Sequence, residues 1–354
     1  MVANWRQNVP LAPLTSLQLG GPARYLAVCQ DVDDIRAALE QALQMDLPVQ
    51  ILGGGSNTLF ADGGFPGLVL HIAIAGIDFK DEKDATLVSV GAGEDWDNLV
   101  QTCIDRNLGG LECLSGIPGR VGATPIQNVG AYGQEVKDTL ATVEALDRET
   151  LELTSFSNQQ CRFAYRQSRF KAEDRDRYII TRVVYRLPRP GRPTLRYPEL
   201  RRYIEEGVDL QKLAPGREVL QTVRQAVLQL RRAKSMVLDP ADPDSRSAGS
   251  FFLNPVIPEE AFHTLQAACA MPVPSFPAPQ GVKIPAAWLV EQAGFAKGYS
   301  LNGAGISSKH ALALVNRGGS TSDLLALANS IRSQVQRRFG ILLEREPVLV
   351  DIAV

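Results

Sequence analysis

Residues 47–67 read LPVQILGGGSNTLFADGGFPG. The apolar run 47–52 has the length and branching of a buried strand, and it feeds without a spacer into Gly53, Gly54 and Gly55. Successive peptide N–H groups with no side chains beside them can converge on one anion. GGGSNT is not GxGxxG, however, and no helical pattern opens after it. It also lacks the GK[ST] of a P-loop, so neither a Rossmann dinucleotide site nor a Walker-type site is expected. A second glycine-dense stretch, SGIPGRVGATPIQNVGAYG (115–133), carries Ser115, Thr124, Gln127 and Asn128. Two such loops could hold two parts of one long anionic ligand, such as the pyrophosphate and ring system of a dinucleotide. Either loop alone reads equally well as a set of tight turns.

Strand and helix signals alternate around the first loop. ARYLAV (23–28) reads as a strand and DVDDIRAALEQAL (31–43) as a helix with acids in its first turn. LVSVGAG (87–93) is a strand feeding the helical stretch 94–107. There Trp96, Leu99, Val100, Cys103 and Ile104 share one face, and Gly109 follows the end. After the second loop come a hairpin over 142–156, a long strand over 177–187 and an amphipathic helix over 219–232. The stretch LDPADPDSRSAG (238–249) is rich in Pro, Asp and Ser and marks an expected domain boundary. Helices are expected over 284–294 and 322–339, and a strand over 341–350.

A chain of 354 residues exceeds one ordinary core and points to two or three domains. Apolar content is 45% and net charge −2, with no run near the ~18 apolar residues of a membrane helix. Neither a nucleic-acid nor a membrane partner is expected. The start lacks a basic region followed by an apolar one, so no secretory signal is expected. The five cysteines are scattered without CxxC spacing and read as buried reduced thiols of a cytoplasmic protein. The three histidines lie far apart, and no metal site is expected.

Six stretches, in order, carry a resemblance: LTSLQLGGPARYL (14–26), LGGGSNTLF (52–60), LSGIPGRVGATPIQNVGAYG (114–133), FAYRQSRFK (163–171), SAGSFFLNP (247–255) and LEREP (343–347). Together they resemble the UDP-N-acetylenolpyruvoylglucosamine reductases, flavoenzymes of bacterial peptidoglycan synthesis, over nearly the whole chain. The Tyr-bearing stretch 188–216 is similar to the first of the family's two types.

The resemblance implies an α+β fold: a two-part FAD-binding unit of the vanillyl-alcohol-oxidase (PCMH) type plus a C-terminal α+β substrate-binding domain. Residues 1–75 and 76–233 would form the two FAD-binding parts and 234–340 the substrate domain, with 341–354 packing back near the active site. It also implies noncovalent FAD, since neither loop has a His or Cys to attach it. The flavin would lie against Gly53, Gly54, Gly55, Ser56 and Asn57 in the first loop. In the second it would meet Ser115, Gly116, Pro118, Gly119, Gly122, Ala123, Thr124, Asn128, Gly130 and Ala131.

The implied reaction is NADPH-dependent reduction of UDP-N-acetylglucosamine enolpyruvate to UDP-N-acetylmuramate. Hydride would pass from flavin N5 to the enolpyruvyl β-carbon, and Ser250 would protonate the α-carbon. Arg166 would stabilise the enolate-like charge with a bidentate fork. Glu346 matches the family's C-terminal acid, and burial would favour its neutral form. Substrate-binding positions are Tyr132, Tyr165, Tyr197, Lys234, Asn254 and His310. The chain departs from the family at His310, where Gln is common, at Phe276, where Tyr is common, and at Pro347, where Val is usual. A monomer is expected. Another flavin-dependent oxidoreductase of the same fold, such as a hydroxy-acid oxidase, is the alternative.

Overall fold

A computed structural model describes residues 5–352, which fall into two compact units. The first comprises the chain up to Val9, Ala23–Gly54 and Pro66–Ala233. The second comprises Pro10–Pro22, Gly55–Phe65 and the chain from Lys234 onward.

The first unit holds two sheets over one core. A four-stranded sheet has the order Arg6–Pro10, Pro22–Cys29, Phe65–Ile72, Val49–Leu52, and its last two strands run parallel. Parallel neighbours need a crossover. Helix Val32–Gln44 leads into Val49–Leu52, capped by Asp31, whose carboxylate accepts the Asp34 N–H at 2.8 Å. Its buried face is Ile35, Ala38, Leu39 and Ala42. A five-stranded antiparallel sheet has the order Leu153–Ser157, Leu140–Asp147, Tyr178–Pro188, Ala85–Gly91, Ile77–Asp81. Helix Trp96–Asp105 buries the five residues that its spacing selects: Trp96, Leu99, Val100, Cys103 and Ile104. Both sheets and both helices contribute to the same apolar cluster. Helices Pro198–Glu205 and Arg217–Arg232 add a smaller one around Cys113, Leu200 and Val223.

In the second unit a four-stranded sheet has the order Ser247–Ser250, Ala313–Asn316, Ala304–Ile306, Ser300–Leu301. Helix Thr321–Phe339 belongs to the core beneath it; Ser320 and Asp323 form its capping box and Gly340, at φ +69°, ends it. Asp62 also caps this helix, accepting the Thr321 and Ser322 N–H groups at 2.7 and 2.9 Å. Asn316 donates to the carbonyls of Leu17 and Gln18, which ties the 10–22 segment to the sheet. Helices Glu259–Ala268 and Ala286–Gln292 and a three-stranded sheet complete the unit.

Two sequence expectations change. The Pro/Asp/Ser-rich stretch 238–249, expected as a domain boundary, lies within the second unit. It carries a 3-10 turn, Pro243–Ser245, and most of the strand Ser247–Ser250. The expected strand over 341–350 shrinks to Val348–Val350, which pairs parallel with Thr58–Phe60. Pro347 supplies no N–H to a ladder. The preceding residues make a single bridge, Phe252 opposite Arg345.

Candidate functional site

The glycine loops occupy the positions their composition demands. In the first unit a Cβ on Gly54 would lie 2.8 Å from the Gly119 Cα, so at this point the loops meet backbone to backbone. A Cβ on Gly122 would lie 2.6 Å from the Ala92 Cβ. At both positions the close approach leaves no room for a side chain. Gly116, at φ +71°, donates its N–H to Asp97 at 2.6 Å. Arg224 grips the same carboxylate with both terminal nitrogens, at 2.6 and 2.8 Å. Burial pushes the Asp97 pKa up, but the Arg224 fork and the Gly116 N–H outweigh it and hold the carboxyl below its ordinary value. Ser115 is fully buried and donates to the Glu112 carbonyl at 2.7 Å. Thr124 bonds Tyr185 at 2.8 Å. Asn128, also buried, donates to Glu135 and to the Ala164 carbonyl and accepts from the Lys137 N–H. It therefore acts as a strut between the second loop and the AYRQS segment.

That segment carries Arg166. Its Nη2 donates to the Gly130 carbonyl at 2.7 Å, and its guanidinium lies 5.8 Å from the Tyr165 ring centre. Asn128, Tyr132 and Arg166 all have positive φ, between 47° and 54°. Left-handed backbone at several non-glycine residues in one place is a feature of functional sites. Tyr132 and Tyr197 meet edge to face, 5.5 Å apart. Burial raises the Tyr132 hydroxyl to about 12. Sequence reasoning missed Arg231. Burial lowers its pKa to about 10, while Tyr132 and Asp97 favour its charge and Arg166 opposes it. The signal was its place three residues before Lys234, masked by two neighbouring basic residues at a helix end.

In the second unit three motifs converge. Ser250 ends the strand Ser247–Ser250, opposite Ala313, with a register irregularity between Ser247 and Ser250. Gly249 has φ +72°, which favours glycine, and open space where a side chain would stand. Phe251 and Phe252, 0% and 1% exposed, pack edge to face at 5.4 Å beneath the loop. The Glu346 N–H donates to the Phe251 carbonyl at 2.9 Å, and the Leu253 N–H to the Glu344 carbonyl at 3.0 Å. Asn57, from the first glycine loop, donates to the Glu346 carbonyl at 3.3 Å and accepts the Val348 N–H at 2.9 Å. The Gly55 carbonyl accepts the Ser16 N–H, and the Ser56 carbonyl the Ser16 hydroxyl, which also donates to the Ser247 carbonyl at 2.6 Å. SAGSFF, LEREP and residues 55–57 of the first loop thus share one hydrogen-bonded framework. Arg166 belongs to the first unit.

Asn254 accepts the Ala286 N–H at 2.9 Å and so caps the helix Ala286–Gln292. His310 accepts the Leu312 N–H at Nδ1, at 3.0 Å, which leaves Nε2 as the protonated nitrogen of the neutral ring. That nitrogen offers one N–H donor, where a glutamine amide offers two. Lys234 begins the second unit's last segment. Phe276 is 55% exposed.

FAD fits these residues. At Gly54, Gly55 and Gly122 the loops present glycine backbone where a Cβ would collide, and no Cys or His lies within either loop. The nearby Cys113 thiol is buried and its pKa pushed far up, so it offers no thiolate for attachment. All five cysteines are free thiols. Among the described residues no group of three or more His, Cys, Asp or Glu could hold a metal, and no helix is long and apolar enough to cross a membrane.

The FAD binding domain family matches residues 23–152, which include both glycine loops. With the two sheets over a common core, this defines an FAD-binding oxidoreductase fold of the PCMH type joined to an α+β domain. The family described as UDP-N-acetylenolpyruvoylglucosamine reductase, C-terminal domain, matches residues 240–350. The reductase of Thermobifida fusca is 46% identical over 99% of each chain. That of Mycobacterium tuberculosis is 44% identical over 98% of this chain and 96% of the relative. The crystal structure of UDP-N-acetylenolpyruvylglucosamine reductase from Thermus caldophilus is similar with a TM-score of 0.66 at 25% identity, over 98% of both chains. The chain belongs to the UDP-N-acetylenolpyruvoylglucosamine reductase family, and it is an oxidoreductase of peptidoglycan synthesis.

Proposed function

We propose that the chain reduces the enolpyruvyl ether of UDP-N-acetylglucosamine enolpyruvate to the lactyl ether of UDP-N-acetylmuramate, with NADPH as reductant and noncovalent FAD. The observation that carries this reading is the Glu346 N–H bonded to the Phe251 carbonyl, one residue from Ser250. It sets the family's hydroxyl and its C-terminal acid on adjoining backbone.

Bound flavin would supply the hydride that reaches the β-carbon. Electron density then collects at the α-carbon and the carboxylate, and a carbanionic carbon is basic enough to take a proton from Ser250 Oγ. Glu346 stands beside that strand to return the proton to the serine or to hold a water that does. Arg166 would grip the carboxylate where charge grows, with Tyr132, Tyr165 and Tyr197 around the sugar. Lys234, Asn254 and the His310 Nε2–H would meet the diphosphate. A three-part division at 75 and 233, a cytoplasmic location and a monomer complete the proposal.

One anaerobic absorbance trace tests it. The flavin should bleach on NADPH and recover on UDP-N-acetylglucosamine enolpyruvate. Flavin that stays oxidised with NADPH, but bleaches with a 2-hydroxy acid, would instead make the chain a hydroxy-acid oxidase.

A further inference from the structure

The second unit contains a polar network that the reaction does not require and the motifs do not cover. Asp242 lies in the DPADPDS stretch, with a side chain about one-fifth exposed at 21%. Its Oδ2 accepts the Ser235 hydroxyl at 2.7 Å and the Lys309 ammonium at 3.0 Å. Ser235 adjoins Lys234, and Lys309 adjoins His310. One carboxylate oxygen therefore fastens together the two segments that carry the diphosphate-binding candidates.

Asp244, 4% exposed, repeats the arrangement from the other end of the same turn. Its Oδ2 accepts the Ser308 N–H at 2.6 Å, the Ser308 hydroxyl at 2.7 Å and the Ser307 hydroxyl at 3.1 Å. Its Oδ1 accepts Arg317 at 2.9 Å. The two aspartates are themselves locked, since the Asp244 N–H donates to Asp242 Oδ1 at 3.0 Å. The Ser245 hydroxyl closes the turn by donating to the carbonyls of Asp239 and Asp242 at 2.8 Å. Ser235 has φ +54°, a left-handed backbone that a serine holds only when its surroundings fix it. The bond to Asp242 supplies that constraint.

We infer that Asp242, backed by Asp244, is a positioning residue for the UDP diphosphate: it sets the spacing of Lys234 and His310 before the substrate arrives. The inference rests on the proposed role of Lys234 in diphosphate binding. A flexible lysine and a ring on separate loops would each lose freedom on binding, and holding their backbones together in advance removes part of that cost. A charge-assisted bond from Lys309 also keeps Asp242 ionised, so it stays an acceptor for Ser235 throughout the cycle.

The test uses FAD-loaded enzyme and UDP itself as probe, since UDP carries the diphosphate without the enolpyruvyl group. Asp242→Asn should weaken UDP binding about 10-fold, the scale seen when a group orienting a ligating side chain is removed. It should raise KM for the UDP-sugar with a far smaller change in kcat. Ser235→Ala, which removes one partner and keeps the carboxylate, should move KM in the same direction by less, and it serves if Asp242→Asn folds poorly. In a Lys234→Ala background Asp242→Asn should add less than it does alone, because part of its effect acts through that lysine. Normal UDP affinity in Asp242→Asn and Ser235→Ala, beside weakened affinity in Lys234→Ala, overturns the positioning role and leaves the diphosphate reading standing. Unchanged affinity in Lys234→Ala overturns both, and full additivity in the double variant overturns the coupling.

Discussion

The backbone N–H of Glu346 lies 2.9 Å from the carbonyl oxygen of Phe251 and donates to it. These residues are far apart in sequence, yet the bond makes the last acidic motif a neighbour of Ser250. The Phe252–Arg345 bridge flanks it, and Asn57 holds the Glu346 carbonyl from the other side. Backbone fixed at both residues would lower the reorganisation needed for the proposed proton transfer.

That relationship sets the first prediction. Ser250→Ala keeps the strand, its register irregularity and the Phe251 carbonyl, so the fold and the flavin site should stay intact. Bleaching by NADPH should continue at the normal rate, while reoxidation by UDP-N-acetylglucosamine enolpyruvate slows by about 10²–10⁴. Stopped-flow absorbance reads both half-reactions separately. Equal slowing of the two would reject Ser250 as proton donor.

A second prediction concerns the flavin cradle. Alanine at Gly54 puts a Cβ 2.8 Å from the Gly119 Cα and 3.2 Å from its carbonyl carbon. Backbone atoms cannot swing aside as a side-chain end can, so one loop must move, at a cost of about 1–3 kcal/mol. Gly54→Ala should purify with less flavin per chain, read as the ratio of visible to ultraviolet absorbance. Gly207→Ala, where a Cβ meets nothing within 4 Å, is the control and should stay fully yellow. A fully loaded Gly54→Ala protein would count against the backbone-to-backbone contact as a determinant of binding.

Much of this architecture was readable from local pattern. Helix Val32–Gln44 follows from Asp31 and an apolar stripe, and Trp96–Asp105 buries the face its spacing selects. The two glycine loops stood out because two such runs in one chain, each alone readable as tight turns, could hold parts of one long anionic ligand. What escaped is nonlocal. Nothing near Thr58–Phe60 announces that Val348–Val350 will pair with it. Nor does the segment 10–22 announce the Asn316 bonds to Leu17 and Gln18 that hold it to a distant sheet. Strand pairing of this kind depends on which edges remain open once the core has formed, and composition does not record that. Arg231 and Asp242 escaped for a different reason: charged residues in charged company read as solvated surface until burial and partners are seen.

The third prediction distinguishes a fork from a point charge. Arg166 spends one terminal nitrogen on the Gly130 carbonyl at 2.7 Å, which aims the guanidinium plane. Arg166→Lys retains a positive charge and loses the planar fork, so in the proposed role a growing carboxylate charge would lose bidentate support. Substrate-driven reoxidation should slow by about 10²–10³. Added guanidine should restore part of the rate to Arg166→Ala, because the small cation can enter the vacated space. Reoxidation at the wild-type rate in Arg166→Lys would show that charge alone suffices at this position.

The fourth prediction is a pH dependence carried by Asp97. This carboxylate holds Gly116 of the second glycine loop at 2.6 Å and is itself held by Arg224. Burial opposes its charge, but Arg224 and the Gly116 N–H prevail, so its folded pKa lies below the unfolded value of about 3.9. In mildly acid solution the unfolded chain therefore binds more protons than the folded one. The stabilisation is present above the unfolded pKa and is lost as pH falls through the folded one. Asp97→Asn should cost about 1–3 kcal/mol at pH 7, since Arg224 loses its charged partner and the Gly116 N–H a charged acceptor. Its stability should also fall less steeply than that of the wild type as pH is lowered below about 4. Other carboxyls with lowered pKa, among them Asp242 and Asp244, will keep some slope in both proteins. Urea unfolding of the two proteins across that range measures the difference. Parallel curves would mean that the Asp97 carboxyl titrates alike in the folded and unfolded chain, and that its bonds to Arg224 and Gly116 do not favour the ionised form.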